Sequence, residues 1–208
     1  MKRIIPVLTL ALSVFIIFSA LDYASDSVKD ELELGKKAPL TTVKMLDVSG
    51  KSMSLEDVNG PNGLLVVFSS NTCPWVLAWE DRYLTIAELA KEKGIGMIAI
   101  NSNEASRGKE DSYAEMQKHA KEKGYTFPYV VDENHVLADE YGATKTPHIY
   151  LFDKNNTLVY RGAIDDSARD LSKIENRYLA DAITAMVAGQ KIKTTTSKAL
   201  GCTIKRVE

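Results

Sequence analysis

The apolar and polar positions of this chain follow two different periods, and the change between them marks the most informative stretch. Residues 64–68 form an unbroken apolar run of strand length, Leu64-Leu65-Val66-Val67-Phe68. Such a run predicts a strand covered on both faces, as in parallel or mixed sheets flanked by helices. A polar turn, Ser69-Ser70-Asn71-Thr72, then leads to Cys73 and Pro74. Beyond it Val76, Trp79, Tyr83, Ile86 and Ala90 recur at three- and four-residue steps. That is the stripe of an amphipathic helix, with Pro74 suited to its first turn and Gly94 to its stop.

The same reading extends along the chain. Loose alternation over 40–46 predicts a strand, 47–51 a turn and 53–55 a return, while 59–63 is dense in turn formers. Residues 95–100 form a second buried strand, followed by a polar loop over 101–111. Ser112 with Glu115 is a capping box for a helix to about Lys123, ended by Gly124. A brief strand at 129–132 and a short helix at 136–141 precede Thr146-Pro147. A hairpin then pairs 148–153 with 157–161, and 176–188 is the last strong helix. Strands alternating with helices and closing in a hairpin plus helix predict a three-layer α/β domain with a central mixed sheet.

The N-terminus stands apart from this pattern. Lys2 and Arg3 precede an apolar run over 4–21, the layout of a signal peptide or signal anchor. The expected organisation is an export segment at 1–21, a polar spacer at 22–34, the domain at 35–189, and a flexible threonine- and lysine-rich tail at 190–208. Removing Lys2 and Arg3 takes the formal charge from −2 to −4, and the remaining charges are dispersed without a basic stripe. No nucleic-acid partner is expected. Export implies a periplasmic protein, released or tethered to the inner membrane through 4–21, in a compartment where disulfides persist.

The chain has two cysteines, Cys73 and Cys202, too few for a disulfide scaffold. A lone cysteine is commonly a small buried hydrophobe. Cys73, however, sits where a strand gives way to a helix start, and the unpaired N–H groups there favour a thiolate, the nucleophilic form. Among the histidines, His119 is expected in solvent, His135 at a turn, and His148 at a strand start from which it could approach Cys73. Their spacing matches no metal site, and neither a metal nor a cofactor is assigned. Trp79 belongs to the helix's buried stripe, whereas Trp75 lies off it as an exposed apolar rim for a partner. Glu80, Asp81 and Arg82 read as a solvated face.

Taken together, Asn71-Thr72-Cys73-Pro74, Glu80-Asp81-Arg82, Asn101-Ser102-Asn103, Phe127-Pro128-Tyr129, Tyr141-Gly142-Ala143, Thr146-Pro147, Tyr160-Arg161-Gly162 and Gly201-Cys202-Thr203-Ile204-Lys205 resemble the thioredoxin-fold redoxin group, which includes alkyl hydroperoxide reductase and thiol-specific antioxidant proteins. The similarity is to a bacterial peroxiredoxin-like branch. It implies a thioredoxin-like fold, a thiol-dependent oxidoreductase with Cys73 as nucleophile, and a cis Pro147 lying against that cysteine. It also implies that the backbone of Thr146 pairs with a bound substrate strand, with Thr72 and Trp75 at the substrate rim. Two departures matter. The second cysteine of a C-x-x-C site would fall at Val76, and the proline and threonine of a peroxiredoxin's P-x-x-x-T-x-x-C would fall at Val66 and Ser70.

Three readings follow. The first is a thiol–disulfide oxidoreductase acting on protein or small-molecule thiols and disulfides, with Cys202 as resolving cysteine. The second is a thiol peroxidase acting on hydroperoxides, and the third a binding protein with a structural Cys73–Cys202 bridge. The missing proline at 66 favours the first. Reach permits a pairing, since the 14 steps from Ala188 to Cys202 span about 46 Å when extended.

Overall fold

The computed structural model describes residues 29–208. The export segment expected at 4–21 lies outside the described residues, and among those described no helix is long and apolar enough to cross a membrane.

The first predicted strand, β3 (Gly63–Ser69), is the centre of the molecule, with all seven of its residues buried. Covering both faces over 64–68 makes apolar residues the fit at every position there, which is why the run lacks alternation. Gly63 opens it at φ +140, and a Cβ there would stand 2.1 Å from the carbonyl oxygen of Phe152. Only glycine lets the neighbouring strand approach so closely.

Before β3 come β1 (Met45–Asp47), β2 (Ser52–Met53) and the single-turn helix α1 (Leu55–Val58). The strand expected from residue 40 begins only at Met45, because Leu40 takes a left-handed conformation and its carbonyl accepts from Val43 N–H in a turn. After β3 the helical stripe is divided into α2 (Pro74–Trp79) and α3 (Asp81–Glu92) about Glu80. Next are β4 (Ile95–Asn101), α4 (Tyr113–Lys123), β5 (Tyr129–Val131) and α5 (Val136–Glu140). The chain continues through β6 (Lys145–Thr146), β7 (His148–Asp153), β8 (Leu158–Gly162), α6 (Tyr178–Val187) and β9 (Cys202–Thr203). Ser112 caps α4 by accepting from Glu115 N–H, though its own N–H donates to the Lys109 carbonyl and not to Glu115, so half of the expected capping box forms; Gly124 ends the helix in the left-handed region, as the sequence predicts.

Seven strands form one mixed sheet in the order β2-β1-β5-β4-β3-β7-β8. The β3/β4 and β4/β5 pairs are parallel, joined by helical crossovers, and the outer pairs are antiparallel. On one face Leu65, Val67, Ile149 and Leu151 pack against Val76, Trp79, Tyr83, Ile86, Met116, Leu179 and Ile183 from α2, α3, α4 and α6. On the other, Leu64, Val66, Phe68, Tyr150 and Phe152 meet Leu55, Leu137 and Tyr141. The result is the expected thioredoxin-like three-layer sandwich.

Candidate active site

Cys73 closes the loop between β3 and α2. As the residue before Pro74 it is kept out of the helical region, at φ −66 and ψ 120, while its carbonyl accepts from Leu77 N–H and starts the helix. The loop itself is clamped from below. Asp111, fully buried, accepts from the Asn71 backbone N–H at 2.9 Å, from Asn101 Nδ2 at 2.8 Å and from Asn103 Nδ2 at 3.0 Å. Asn71 in turn donates from Nδ2 to the Glu110 carbonyl and accepts at Oδ1 from Tyr129 OH. A buried carboxylate needs such donors to offset desolvation.

The Thr146-Pro147 peptide bond is cis, as expected. Cys73 Sγ donates to the Thr146 carbonyl oxygen at 3.0 Å, so the proline turn lies against the thiol. The other partner of Cys73 comes from the end of the described chain. Strand β9 pairs antiparallel with β6, Cys202 opposite Thr146 and Thr203 opposite Lys145, and brings Cys202 Sγ to 2.6 Å from Cys73 Sγ. A Cβ on Gly201 would stand 2.3 Å from the Thr146 carbonyl oxygen, so glycine is needed where the segment passes the proline turn.

The segment over 190–208, expected as a flexible tail, is therefore laid along the domain. Arg161 N–H donates to the Thr195 carbonyl and the Arg161 carbonyl accepts from Ser197 N–H. Ile204 is buried and its N–H donates to the Thr144 carbonyl. Lys205 N–H reaches Asn103 Oδ1 at 2.9 Å, which ties this segment to the same asparagine that holds Asp111. Arg206 donates to Asp139 Oδ1 and to the Ala143 carbonyl, both at 2.6 Å. None of these partners is close in sequence, and the polar composition of 190–197 gives no periodic signal of them.

The two thiols are tuned in opposite directions. Burial works against a Cys73 thiolate, but contacts to the Cys202 and Thr146 side chains and to the Val76 backbone N–H outweigh it and hold the thiol below its ordinary range. Burial, then the hydrogen bond and charge of Cys73, push Cys202 up to about 11. The two thiols are thus made unequal by their surroundings. Among the described residues no imidazole or guanidinium bonds either sulfur.

The remaining sequence candidates are placed as follows. Thr72 is exposed at the loop's surface. Trp75 is half-buried, with the Arg169 guanidinium 5.4 Å from its ring centroid. Trp79 is core, and its indole N–H donates to Asp165 Oδ1 at 2.8 Å. His148 lies beside Tyr150 on the opposite face of the sheet from Cys73 and does not approach it; burial pushes its imidazole down to about 4.

Of the solvated face expected at 80–82 only Asp81 is exposed; Glu80 and Arg82 turn inward. Glu80 is 2% exposed and receives Tyr125 OH at 2.6 Å, Lys123 Nζ at 2.7 Å and His119 Nε2, so His119 is not in free solvent either. Burial opposes the Glu80 carboxylate, but those three partners hold it below the usual range. Arg82 faces inward to Asp165 at 3.3 Å. Asp111 was missed altogether; the run of amides at Asn101 and Asn103 was its only trace in the sequence.

The family model described as Redoxin matches residues 33–178. A thiol–disulfide oxidoreductase, ResA, from Halalkalibacterium halodurans is 26% identical over 113 residues, which cover 54% of this chain and 60% of that protein. The chain thus spans about three fifths of that relative's length. Two solved structures are more similar over more of the chain. An uncharacterized conserved protein from Geobacillus kaustophilus shares 35% identity at a TM-score of 0.77, covering 84% of this chain and 93% of that one. A hypothetical protein from Sinorhizobium meliloti shares 31% at 0.76, covering 86% and 97%.

Proposed function

This chain belongs to the redoxin family, and on that premise we propose that it is an exported thiol–disulfide oxidoreductase in which Cys73 attacks substrate disulfides and Cys202 resolves them. One observation carries the reading: Cys202 Sγ lies 2.6 Å from Cys73 Sγ, at a helix start and beside a cis proline. The oxidoreductase named ResA supports the choice of reaction.

In the first step the Cys73 thiolate attacks one sulfur of a substrate disulfide. A Cys73–substrate bond forms and the other substrate sulfur leaves as a thiolate. In the second, Cys202 loses its proton and attacks Cys73 Sγ, forming the Cys73–Cys202 bridge and expelling the remaining substrate sulfur. The substrate gains two electrons and the protein loses two. Cys73 is 4% exposed with β9 in place, so substrate attack belongs to a state in which β9 has left β6, and redocking delivers Cys202. Trp75 and Thr72 form the rim that a substrate meets first, and the Thr146 edge, vacated by β9, offers backbone groups to an extended partner.

The same site gives less support to peroxide reduction. Val66 is locked in the core and Ser70 Oγ is turned toward Asp111 at 3.4 Å and the Thr72 N–H at 3.3 Å, so the Ser70 hydroxyl is not directed at Cys73. The deciding experiment mixes freshly reduced protein with hydrogen peroxide or with an oxidised peptide disulfide and follows loss of the Cys73 thiol. Faster reaction with the disulfide, with bridge formation abolished by Cys202→Ser, is expected. Faster reaction with peroxide refutes the reading. Export through 4–21 is tested by fractionating cells that express the full chain; recovery in the cytosolic fraction with residues 1–21 attached refutes it.

A further inference from the structure

We propose that electrons return to this protein through Cys202: the reducing thiol attacks Cys202 Sγ, not Cys73 Sγ, when it opens the bridge. The inference rests on the oxidoreductase reading and adds the direction of its second half-cycle. Its ground is access. Cys73 is 4% exposed, lies in the core between β3 and α2, and is roofed by β9. Cys202 is partly exposed, and the next residue, Thr203, is exposed. An incoming thiolate can reach a bridged pair only at the sulfur that solvent reaches.

The chemistry of departure points the same way. Attack on Cys202 expels Cys73, whose thiolate the Val76 backbone N–H favours even once the Cys202 sulfur is bonded to the donor; attack on Cys73 would expel Cys202, whose thiolate burial disfavours. Exchange is faster when the leaving thiol has the lower pKa. The Lys205 ammonium acts in the opposite sense on the Cys202 sulfur, but it is the smallest of the influences on that thiol. The step balances as follows. A thiolate of an external dithiol, or one of two monothiols, forms a bond to Cys202 Sγ, and the Cys202–Cys73 bond breaks with its electron pair remaining on Cys73. A second external thiolate then attacks the donor sulfur of the mixed disulfide. That releases Cys202, which takes a proton, and leaves the donor oxidised by two electrons.

The arrangement reverses the roles that reactivity alone suggests: the activated cysteine deals with substrate and the inert one with the reductant. Full-length protein, oxidised and mapped for the Cys73–Cys202 bridge, is mixed with glutathione, quenched in acid at successive times, alkylated with a maleimide and analysed as peptides. Extrapolated to zero time, glutathione is expected on the Cys202 peptide and maleimide on Cys73, by about tenfold or more over the converse. Glutathione on Cys73 with the bridge present overturns this inference alone. A starting protein without the bridge overturns it together with the oxidoreductase reading.

Discussion

Cys73 is held between a core that resists its charge and donors that invite it, and the donors prevail. Its alkylation rate, measured against pH, should therefore rise through a midpoint below the roughly 8.5 of a free cysteine. Since Cys202 is the first of the favourable contacts, Cys202→Ala should move that midpoint upward, toward the free value. An unchanged midpoint would remove Cys202 from the stabilisation. Cys73→Ser should abolish turnover while leaving the circular dichroism spectrum intact. At this scale the sequence was legible wherever a signal is local: thiol, proline and helix stripe adjoin one another, and Thr146-Pro147 is a dipeptide. Glu80 was not, because His119, Lys123 and Tyr125 reach it from about forty residues away and convert an apparently solvated carboxylate into a buried one.

Among the elements, the loop before α2 depends on a side chain outside it. Asp111 holds Asn71, Asn101 and Asn103 together, and Asp111→Ala would remove the buried acceptor of the Asn71 backbone N–H and of an amide N–H of Asn101 and of Asn103. A cost of about 2–4 kcal/mol is expected, read as a fall of roughly 5–15 °C in melting temperature for a domain of this size. A change under about 2 °C would show that water replaces the carboxylate. The docking of β9 is tested separately. Arg206→Ala removes the bonds to Asp139 and Ala143, and faster amide exchange over 202–204, with the β3 amides unchanged, is the predicted result. The helices and the hairpin were readable because a period repeats within each. The path of 195–208 was not, since the bonds that fix it run to Arg161, Thr144, Asn103, Asp139 and Ala143, all distant in sequence.

For the whole molecule, the Cys73–Cys202 pair joins positions 129 apart. A bridge there closes nearly the entire β3 to β9 portion, and the chain-entropy model gives it about 4–5 kcal/mol. Oxidised protein should melt roughly 10–20 °C above reduced protein, a difference that Cys202→Ser abolishes. The mixed sheet and its two covered faces followed from the order of periods along the chain, whereas closure by β9 is a long-range event that no period records. The pairing of β9 with β6 also has a kinetic meaning. A thiol delivered on a tether to the strand beside its target competes as though it were present at a concentration no dissolved thiol attains. On the proposed mechanism, once substrate is bound to Cys73 its discharge becomes a first-order event of the protein alone. The surrounding thiol pool then governs how soon the protein is recharged, and has no say in how soon the substrate is let go.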